Sequence, residues 1–306
     1  MSVSVSVFWS IIQNFILMLV GMLAMRTGMF SKKALPGLSR FCLDVLMPCL
    51  TFHSVTRNFS ADQPHLLWQM PLVGFGIALA GFLGGWFFRY GMRSGTPVRM
   101  ATFHHVCTLC NYLFLPIIIV GNLWGEKYVT LLLLTNVGSV LGMWTLSIIA
   151  IQPGGFNRST LKQVFGINFW ALILAVAWVM LKIPVPPVIA KSVEMTANMN
   201  VPLLILLSGA SIWEHRNSLR SHLIDALYLS FIRLIVLPAM MLVIIAFIPM
   251  AEEIRMVAQI IAIMPAAVVS IVLCGRYGGD EAMAGQAIML TTILSMITVP
   301  LWLLII

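Results

Sequence analysis

Charged residues are scarce in this sequence. Only 9% of its 306 residues are Asp, Glu, Lys or Arg, and 60% are hydrophobic, whereas an ordinary soluble domain is about 25% charged and about 45 to 50% apolar. A soluble core cannot hide that much apolar surface from water. The composition therefore excludes an ordinary soluble domain and predicts an all-α integral membrane protein.

Short motifs that mark enzymes are also missing. The sequence contains no nucleophile elbow, phosphate-binding loop or zinc-protease motif, so we expect neither enzymatic activity nor a cofactor. His104, His105, Cys107 and Cys110 resemble a metal cluster by composition, but residues 104 and 110 would lie about 9 Å apart along a helix. We therefore expect no metal site, and place the two histidines, solvated or hydrogen-bonded, near a helix end.

The formal net charge of +8 comes from basic residues scattered through the loops between apolar runs. Scattered charge does not form the basic face that nucleic acid requires, so the expected partners are membrane lipid and a small solute. If the amino terminus is external, twelve of the eighteen basic residues lie in cytoplasmic loops, and the positive-inside rule then predicts that both termini are external in a multi-pass protein of the cell membrane. These twelve are Arg26, Lys32, Lys33, Arg40, Arg89, Arg93, Arg99, Arg158, Lys162, Arg216, Arg220 and Arg276.

Apolar runs between polar breaks predict about ten transmembrane helices, each near the length of about 20 residues that a bilayer requires. The predicted spans are residues 5–26, 34–56, 67–88, 100–123, 128–151, 164–182, 192–212, 222–248, 254–275 and 282–305.

The two halves of the sequence resemble each other. FCLDVLMPCLTF in the second span is similar to MTANMNVPLLILL in the seventh, which separates Pro48 from Pro202 by 154 positions, and Pro116 and Pro265 lie 149 positions apart. Each half holds five spans, an odd number, so the repeats enter the membrane from opposite sides, as in many carriers. The predicted repeats are residues 1–152 and 164–306.

Several segments together resemble the auxin efflux carrier family, bacterial branch, within the larger group that includes bile-acid/sodium symporters. The segments are LMLVGMLAMRTGMFS, LDVLMPCLTF, CNYLFLPIIIVGNLWG, IRLIVLPAM, IMPAAVVSIVLCGRYGGDEAMAG and TTILSMITVPLWLLI. The resemblance implies a scaffold of helices 1, 2, 6 and 7, which could form a homodimer, and a mobile transport domain of helices 3–5 and 8–10. It also implies that helices 4 and 9 cross where prolines break them.

One spacing departs from that family. In that family the crossover proline usually follows the asparagine by seven residues, whereas Asn111 and Pro116 are five residues apart. A separate interval, from Asn111 to Gly125, does keep the family's spacing. The resemblance therefore leaves the break point of helix 4 open.

Pro116 and Pro265 are candidate breaks, because proline removes a backbone donor and clashes with the preceding turn. Broken backbone is tolerated at membrane depth only within protein or a water-filled cavity, and half-helix amino termini there attract anions. The Asn111 amide can both donate to and accept from a polar solute. The alternatives are two kinked helices satisfied by neighbouring side chains, and an asparagine that only joins helices.

Three further polar residues lie within predicted spans. Arg233, near the middle of the eighth, either attracts an anionic substrate or binds helix carbonyls as a structural lock. Asp44 and Asn198 each precede a proline by four residues, so they either bind a coupling H⁺ or Na⁺ or stabilise a kink.

These observations predict a secondary transporter that moves a small organic anion or weak acid by alternating access. The predicted substrate-binding residues are Asn111, Pro116, Pro265 and Arg233, at the crossover of helices 4 and 9. The alternatives are a proton- or sodium-coupled importer of a carboxylate, a solute receptor or sensor without transport, and a channel.

Overall fold

The computed structural model of the protein describes residues 3–58, 64–152, 165–214, 216 and 223–306. Within these ranges the chain is helical, without strands other than one isolated backbone bridge. The helices are α1 (Val3–Arg26), α2 (Leu35–Phe41), α3 (Met47–Asn58), α4 (Pro64–Phe88), α5 (Pro97–Thr108), α6 (Phe114–Trp124), α7 (Glu126–Gly142), α8 (Ile148–Ile151), α9 (Ile167–Met180), α10 (Pro187–Glu214), α11 (Leu223–Phe231), α12 (Leu237–Phe247), α13 (Glu252–Ala262), α14 (Val269–Tyr277) and α15 (Glu281–Leu303).

Six continuous helical segments in the described ranges are long and apolar enough to cross a membrane. Large apolar side chains lie on their outer faces, and Phe247 and Val188 are 84% and 78% exposed. In water such faces would be unstable, whereas lipid solvates them. The predictions of an all-α membrane protein and of several membrane-crossing helices are confirmed.

The helix bounds differ from the predicted spans in several places. The predicted span 192–212 is the longer helix α10, and the spans 100–123 and 254–275 are each divided into two shorter helices. Residue 164 of the span 164–182 lies outside the described residues, as do Arg158, Lys162 and Arg220 of the predicted cytoplasmic loops.

Three π-helical segments join consecutive helices: Cys42–Leu46 between α2 and α3, Met143–Ser147 between α7 and α8, and Ile232–Val236 between α11 and α12. Pro48 and Pro238 lie in the first turn after two of them. A proline ring clashes with the carbonyl four residues before it, and the wider π turn gives that carbonyl room.

Side chains from distant helices occupy backbone carbonyls in these wider turns. The carbonyl of Leu234, four residues before Pro238, accepts a hydrogen bond of 2.9 Å from the indole N–H of Trp302. The carbonyl of Leu43 accepts one of 2.8 Å from the Asn168 amide. The irregular turns therefore leave these two carbonyls satisfied away from water.

Small residues allow two pairs of helices to touch backbone to backbone. A Cβ added to Gly21 or Gly209 would overlap the facing backbone between α1 and α10, and the same is true of Gly74 and Gly138 between α4 and α7. Such close approach is typical of helix packing in membranes. The contact of α1 with α10 brings together the first and seventh predicted spans.

Candidate functional site

Two interrupted helices cross at the centre of the candidate site. The interruptions are residues 109–113, between α5 and α6, and residues 263–268, between α13 and α14. The backbone N–H of Asn111 donates to the carbonyl of Pro265 over 2.8 Å, and that of Ala267 donates to the carbonyl of Leu109 over 3.3 Å. The two broken segments therefore satisfy part of each other's backbone as a short antiparallel bridge.

Pro116 does not interrupt its helix, which corrects the sequence-based expectation. It is the third residue of α6, and the interruption ends before Phe114. Its missing N–H would have bonded the carbonyl of Tyr112, which already lies outside the helix, and proline is tolerated in a first helical turn for this reason. Pro265, by contrast, lies inside its interruption.

Arg233 lies where α5 and α13 end. The residue is fully buried, its Nη1 donates to the carbonyl of Cys107 over 3.1 Å, and its Nε and Nη2 donate to the carbonyl of Met264 over 3.2 and 3.1 Å. A guanidinium at the carbonyl ends of two helices offsets their partial negative charge. These contacts are those of a structural lock, whereas the attraction of an anionic substrate stays a prediction.

The opposite ends of the broken helices face a cavity. The N-cap residues Leu113, directly before α6, and Val268, directly before α14, make no side-chain capping hydrogen bond. Pro116 has no N–H, and the Ser270 N–H donates to the carbonyl of Ala267 over 3.0 Å, so the other N–H groups of the two first turns keep their partial positive charge. Leu113 and Val268 both line a cavity of ≈ 70 Å³. The other lining residues are Met47, Leu50, Cys110, Asn111, Tyr112, Asn136, Val140, Met143, Asn200, Val201, Leu204, Ile205, Ala267 and Val269.

Two buried polar atoms of the cavity lining lack a hydrogen-bond partner among the described residues. They are the hydroxyl of Tyr112, a residue 8% exposed, and Oδ1 of Asn200, which is fully buried. The other side-chain polar group of Asn200 donates to the sulfur of Met47 over 3.4 Å. Because buried polar groups are seldom left unpaired, these two atoms point to a polar ligand or water in the cavity.

Tyr112, Asn136 and Asn200 were missed by the sequence analysis, although all three stand out as polar residues within apolar runs. Asparagines in membrane helices most often join helices to one another, so residue type alone could not single them out. Tyr112 directly follows Asn111 in the sequence, whereas the place of Asn136 and Asn200 beside Asn111 depends on the packing of α7 and α10 against the crossover, which no local pattern encodes.

The two residues predicted for ion coupling lie elsewhere. Asp44 forms ion pairs with Arg276 over 2.7 Å and with Arg40 over 3.3 Å. Asn198 is exposed on α10, two residues from the buried Asn200. Neither lines the cavity, and their coupling role stays a prediction.

His104 and His105 are both buried and hydrogen-bonded rather than solvated. Nε2 of His104 lies 2.8 Å from the carbonyl of Phe82, and Nδ1 of His105 lies 2.7 Å from the hydroxyl of Ser147. Across the described ranges, no group of three or more His, Cys, Asp or Glu side chains could hold a metal ion.

Comparison with known proteins finds transporters that are similar to this chain along nearly its whole length. An uncharacterized transporter of Methanothermobacter thermautotrophicus is 23% identical over 300 residues, which cover 96% of each chain. An uncharacterized transporter of Methanocaldococcus jannaschii is 25% identical over 301 residues, which cover 94% of each chain. The family model described as membrane transport protein matches residues 6–159 and 156–303. The chain therefore belongs to this family of membrane transport proteins, the auxin efflux carrier family that its motifs resemble.

Proposed function

We propose that the protein is a secondary carrier that binds a small organic anion or weak acid in the crossover cavity and moves it by alternating access. One observation carries the proposal: two uncapped helix amino termini meet at the cavity, while Arg233 occupies the carbonyl ends of the other two half-helices. The partially positive amino-terminal ends of α6 and α14 therefore remain accessible to a solute in the cavity. The two amino termini together are equivalent to about one positive charge.

The cavity lining supports an organic rather than an inorganic anion. None of its side chains carries a formal charge, and most are apolar. A single carboxylate can accept from the Asn111 amide, the Tyr112 hydroxyl and the helix N–H groups, while Leu50 and Leu204 contact an apolar body. A second carboxylate on the same solute would find no counter-charge among these side chains.

Alternating access requires the site to open, since ≈ 70 Å³ is well below the range of about 300 to 1,000 Å³ typical of ligand pockets. The proposed motion moves α4–α8 and α11–α15 as the transport domain against a scaffold of α1–α3, α9 and α10. Several contacts would have to break in this motion. They are the Asp44–Arg276 ion pair, the 2.5 Å bond from Ser211 to Glu281, and the 3.2 Å bond from Ser208 to the Val268 carbonyl.

An inverted repeat of five plus five spans underlies the proposed motion. The backbone bridge between the two broken segments supports an alignment of the two halves that pairs Pro265 with Asn111 rather than with Pro116. Asn111 and Pro265 lie 154 positions apart, the same interval that separates Pro48 from Pro202. In such carriers, equivalent residues of the two inverted halves are expected to meet at one point. A homodimer through the exposed scaffold helices is part of the same proposal.

The proposed orientation has both termini outside the cell membrane. An inside-negative potential of 100 mV then favours outward movement of a monoanion by about 2.3 kcal/mol, so export needs no coupling ion. Import against this potential does need one. Asp44 would have to exchange an arginine partner for that ion, which makes export the favoured direction.

Counterflow in proteoliposomes tests the proposal. Organic acids are first screened for those that raise the unfolding temperature of the purified protein. Vesicles preloaded with the unlabelled hit should then accumulate the labelled acid transiently and saturably, and Asn111→Ala should abolish accumulation without loss of folded protein. Binding without counterflow would indicate a receptor, and non-saturating flux would indicate a channel.

A further inference from the structure

His105 is a titratable side chain buried in the interior of the protein, and the crossover site described above does not use it. The residue belongs to α5, and none of its surface is exposed. Ionisable residues in the interior of membrane proteins are rare and often belong to ion or proton pathways. Histidine is also the side chain whose charge changes closest to physiological pH. His105 is therefore a candidate proton-binding residue.

The two ring nitrogens of His105 have different surroundings. Nδ1 lies 2.7 Å from the hydroxyl and 3.3 Å from the carbonyl of Ser147, which is the last residue of the π-helical segment Met143–Ser147. Nε2 is buried and has no hydrogen-bond partner among the described residues. Because π turns inside helices often lie at functional sites, this contact adds to the interest of the ring.

Ser270 of α14 lies beside the same ring. This serine is also fully buried, and its hydroxyl has no hydrogen-bond partner in the described part of the chain. A neutral imidazole has one N–H and one bare nitrogen, whereas the protonated ring donates from both nitrogens. A proton on His105 would therefore give the ring a second donor beside the oxygen atoms of Ser270, while Nδ1 keeps its contact with Ser147.

Both neighbours of the ring are close to the crossover cavity. Met143, which lines the cavity, lies four residues or about one helical turn before Ser147. Val269, which also lines the cavity, directly precedes Ser270. A positive charge on the His105 ring would thus lie close behind the cavity wall, where it would add to the partial positive charge of the two helix amino termini.

No carboxylate forms an ion pair with His105 in the ranges that the structure describes. Its titratable neighbour is His104, which bonds the carbonyl of Phe82 instead. The other charged or titratable residues on α5 and on the elements packed against it are Arg99 and Cys107 on α5, Arg233 at its end, Arg89 and Tyr90 after α4, Cys274, Arg276 and Tyr277 on α14, and Glu281 on α15. The ring itself contacts Ser147 and Ser270, so an anion in the cavity would be the natural counter-charge of a protonated His105.

We propose that His105 takes up a proton when an organic anion binds in the crossover cavity, so that each strengthens the binding of the other. The inference rests on the proposed function and extends its binding site. Two unit charges about 8 Å apart, at the effective dielectric constant of about 20 typical of proteins, change each other's affinity about 30-fold. Because the anion-bound state holds more protons, the affinity for the anion should rise as the pH falls.

Counting the protons taken up on binding tests the proposal with purified protein. The probe is the monocarboxylate that gives the largest thermal shift in the screen described above, with benzoate as the first acid tested. Isothermal titration is carried out between about pH 4.5 and 7.5, which brackets the range in which histidine titrates. Repeating it in buffers of different ionisation enthalpy gives the number of protons bound, and the protonation of the probe itself is measured separately.

The site variant is His105→Asn, because an asparagine amide can still bond Ser147 from the position of Nδ1 but does not titrate. The matched control is His104→Gln, whose amide can replace Nε2 opposite the Phe82 carbonyl. Wild-type and control proteins should take up about 0.7 proton at the maximum, the uptake that a 30-fold coupling produces. Their Kd should fall by up to about 30-fold as the pH falls, whereas His105→Asn should bind the probe without either effect.

Nuclear magnetic resonance of protein with 15N-labelled histidine gives a second measurement if His105→Asn is poorly folded. In both the wild type and His104→Gln, one histidine should become imidazolium when the probe binds.

Proton uptake that persists in His105→Asn would overturn the assignment of the proton, as would binding of the probe to the wild type without uptake or without a change in any histidine signal. Each of these results leaves the proposed function intact. If no acid in the screen binds the wild type, the proposed function fails, and this inference fails with it.

Discussion

At the residue scale, the Tyr112 hydroxyl and the Asn200 side-chain oxygen are buried cavity atoms without a hydrogen-bond partner among the described residues, and we propose that both contact the solute. We expect Tyr112→Phe to weaken binding of an identified organic anion about tenfold or more, because a hydrogen bond donated to a charged group contributes about 1.5 to 3 kcal/mol. The Asn200 oxygen can only accept a hydrogen bond, so Asn200→Ala should weaken binding of a solute that also carries a hydroxyl or N–H donor. Isothermal titration of the purified variants measures the effect. Asn198→Ala is the matched control, since this exposed asparagine lies on the same helix outside the cavity. Equal losses in all three variants would contradict the assignment of the cavity.

Arg233 offers a test between the two roles left open by the sequence. Arg233→Gln should lower the unfolding temperature strongly, because two buried carbonyls lose their donor and each unsatisfied group costs about 1 to 3 kcal/mol. Arg233→Lys should recover only part of the loss, since an ammonium lacks the planar fork that spans the carbonyls of Cys107 and Met264. Thermal unfolding in detergent measures both, with the exposed Arg93→Gln as control. Unchanged stability together with lost solute binding would instead favour the role of substrate counter-charge.

At the scale of the helix elements, ion pairs distinguish the two groups of helices. Arg99 lies 4.0 Å from Asp225 and 3.6 Å from Asp280, which ties together the beginnings of α5, α11 and α15. All of these belong to the proposed transport domain. The Asp44–Arg276 pair instead joins α14 to the segment between α2 and α3, so it connects the transport domain to the scaffold.

Breaking that connecting pair should shift the protein towards a more open state. In a variant that keeps Cys110 as its one cysteine, Arg276→Gln should raise the rate of Cys110 alkylation by up to about fivefold, the effect expected of a partly exposed ion pair of up to about 1 kcal/mol. Arg40→Gln is the control, because it removes the other arginine partner of Asp44 within the scaffold. If both substitutions act alike, the Asp44–Arg276 pair does not hold the two groups of helices together.

At the scale of the whole molecule, the predicted orientation of the chain in the membrane rests on the distribution of basic residues. We expect alkaline phosphatase fused after Ile306 to be active and green fluorescent protein at the same place to be dark, because both termini are predicted to be external. Fusions after Gln152, in a predicted cytoplasmic loop, should give the reverse pattern. The same pattern at both sites would contradict an odd number of spans between them.

The sequence alone determined that this is a helical membrane protein with several membrane-crossing helices, because apolar runs are local properties of the sequence. It also located Asn111 and Pro265 close to the crossing point. It missed the place of the helix 4 break by a few residues, because Pro116 can begin a helix as readily as interrupt one.

Only the tertiary structure decided what these residues touch. Arg233 binds carbonyls 31 and 126 positions away along the chain, and Asn200 reaches the cavity from a helix that the sequence connects to the crossover by no repeating pattern. The Tyr112 hydroxyl, which has no hydrogen-bond partner among the described residues, and the cavity that it lines likewise arise only when separate helices pack together. Hydropathy sets where each helix lies in the bilayer, but the positions of polar groups relative to one another depend on long-range packing.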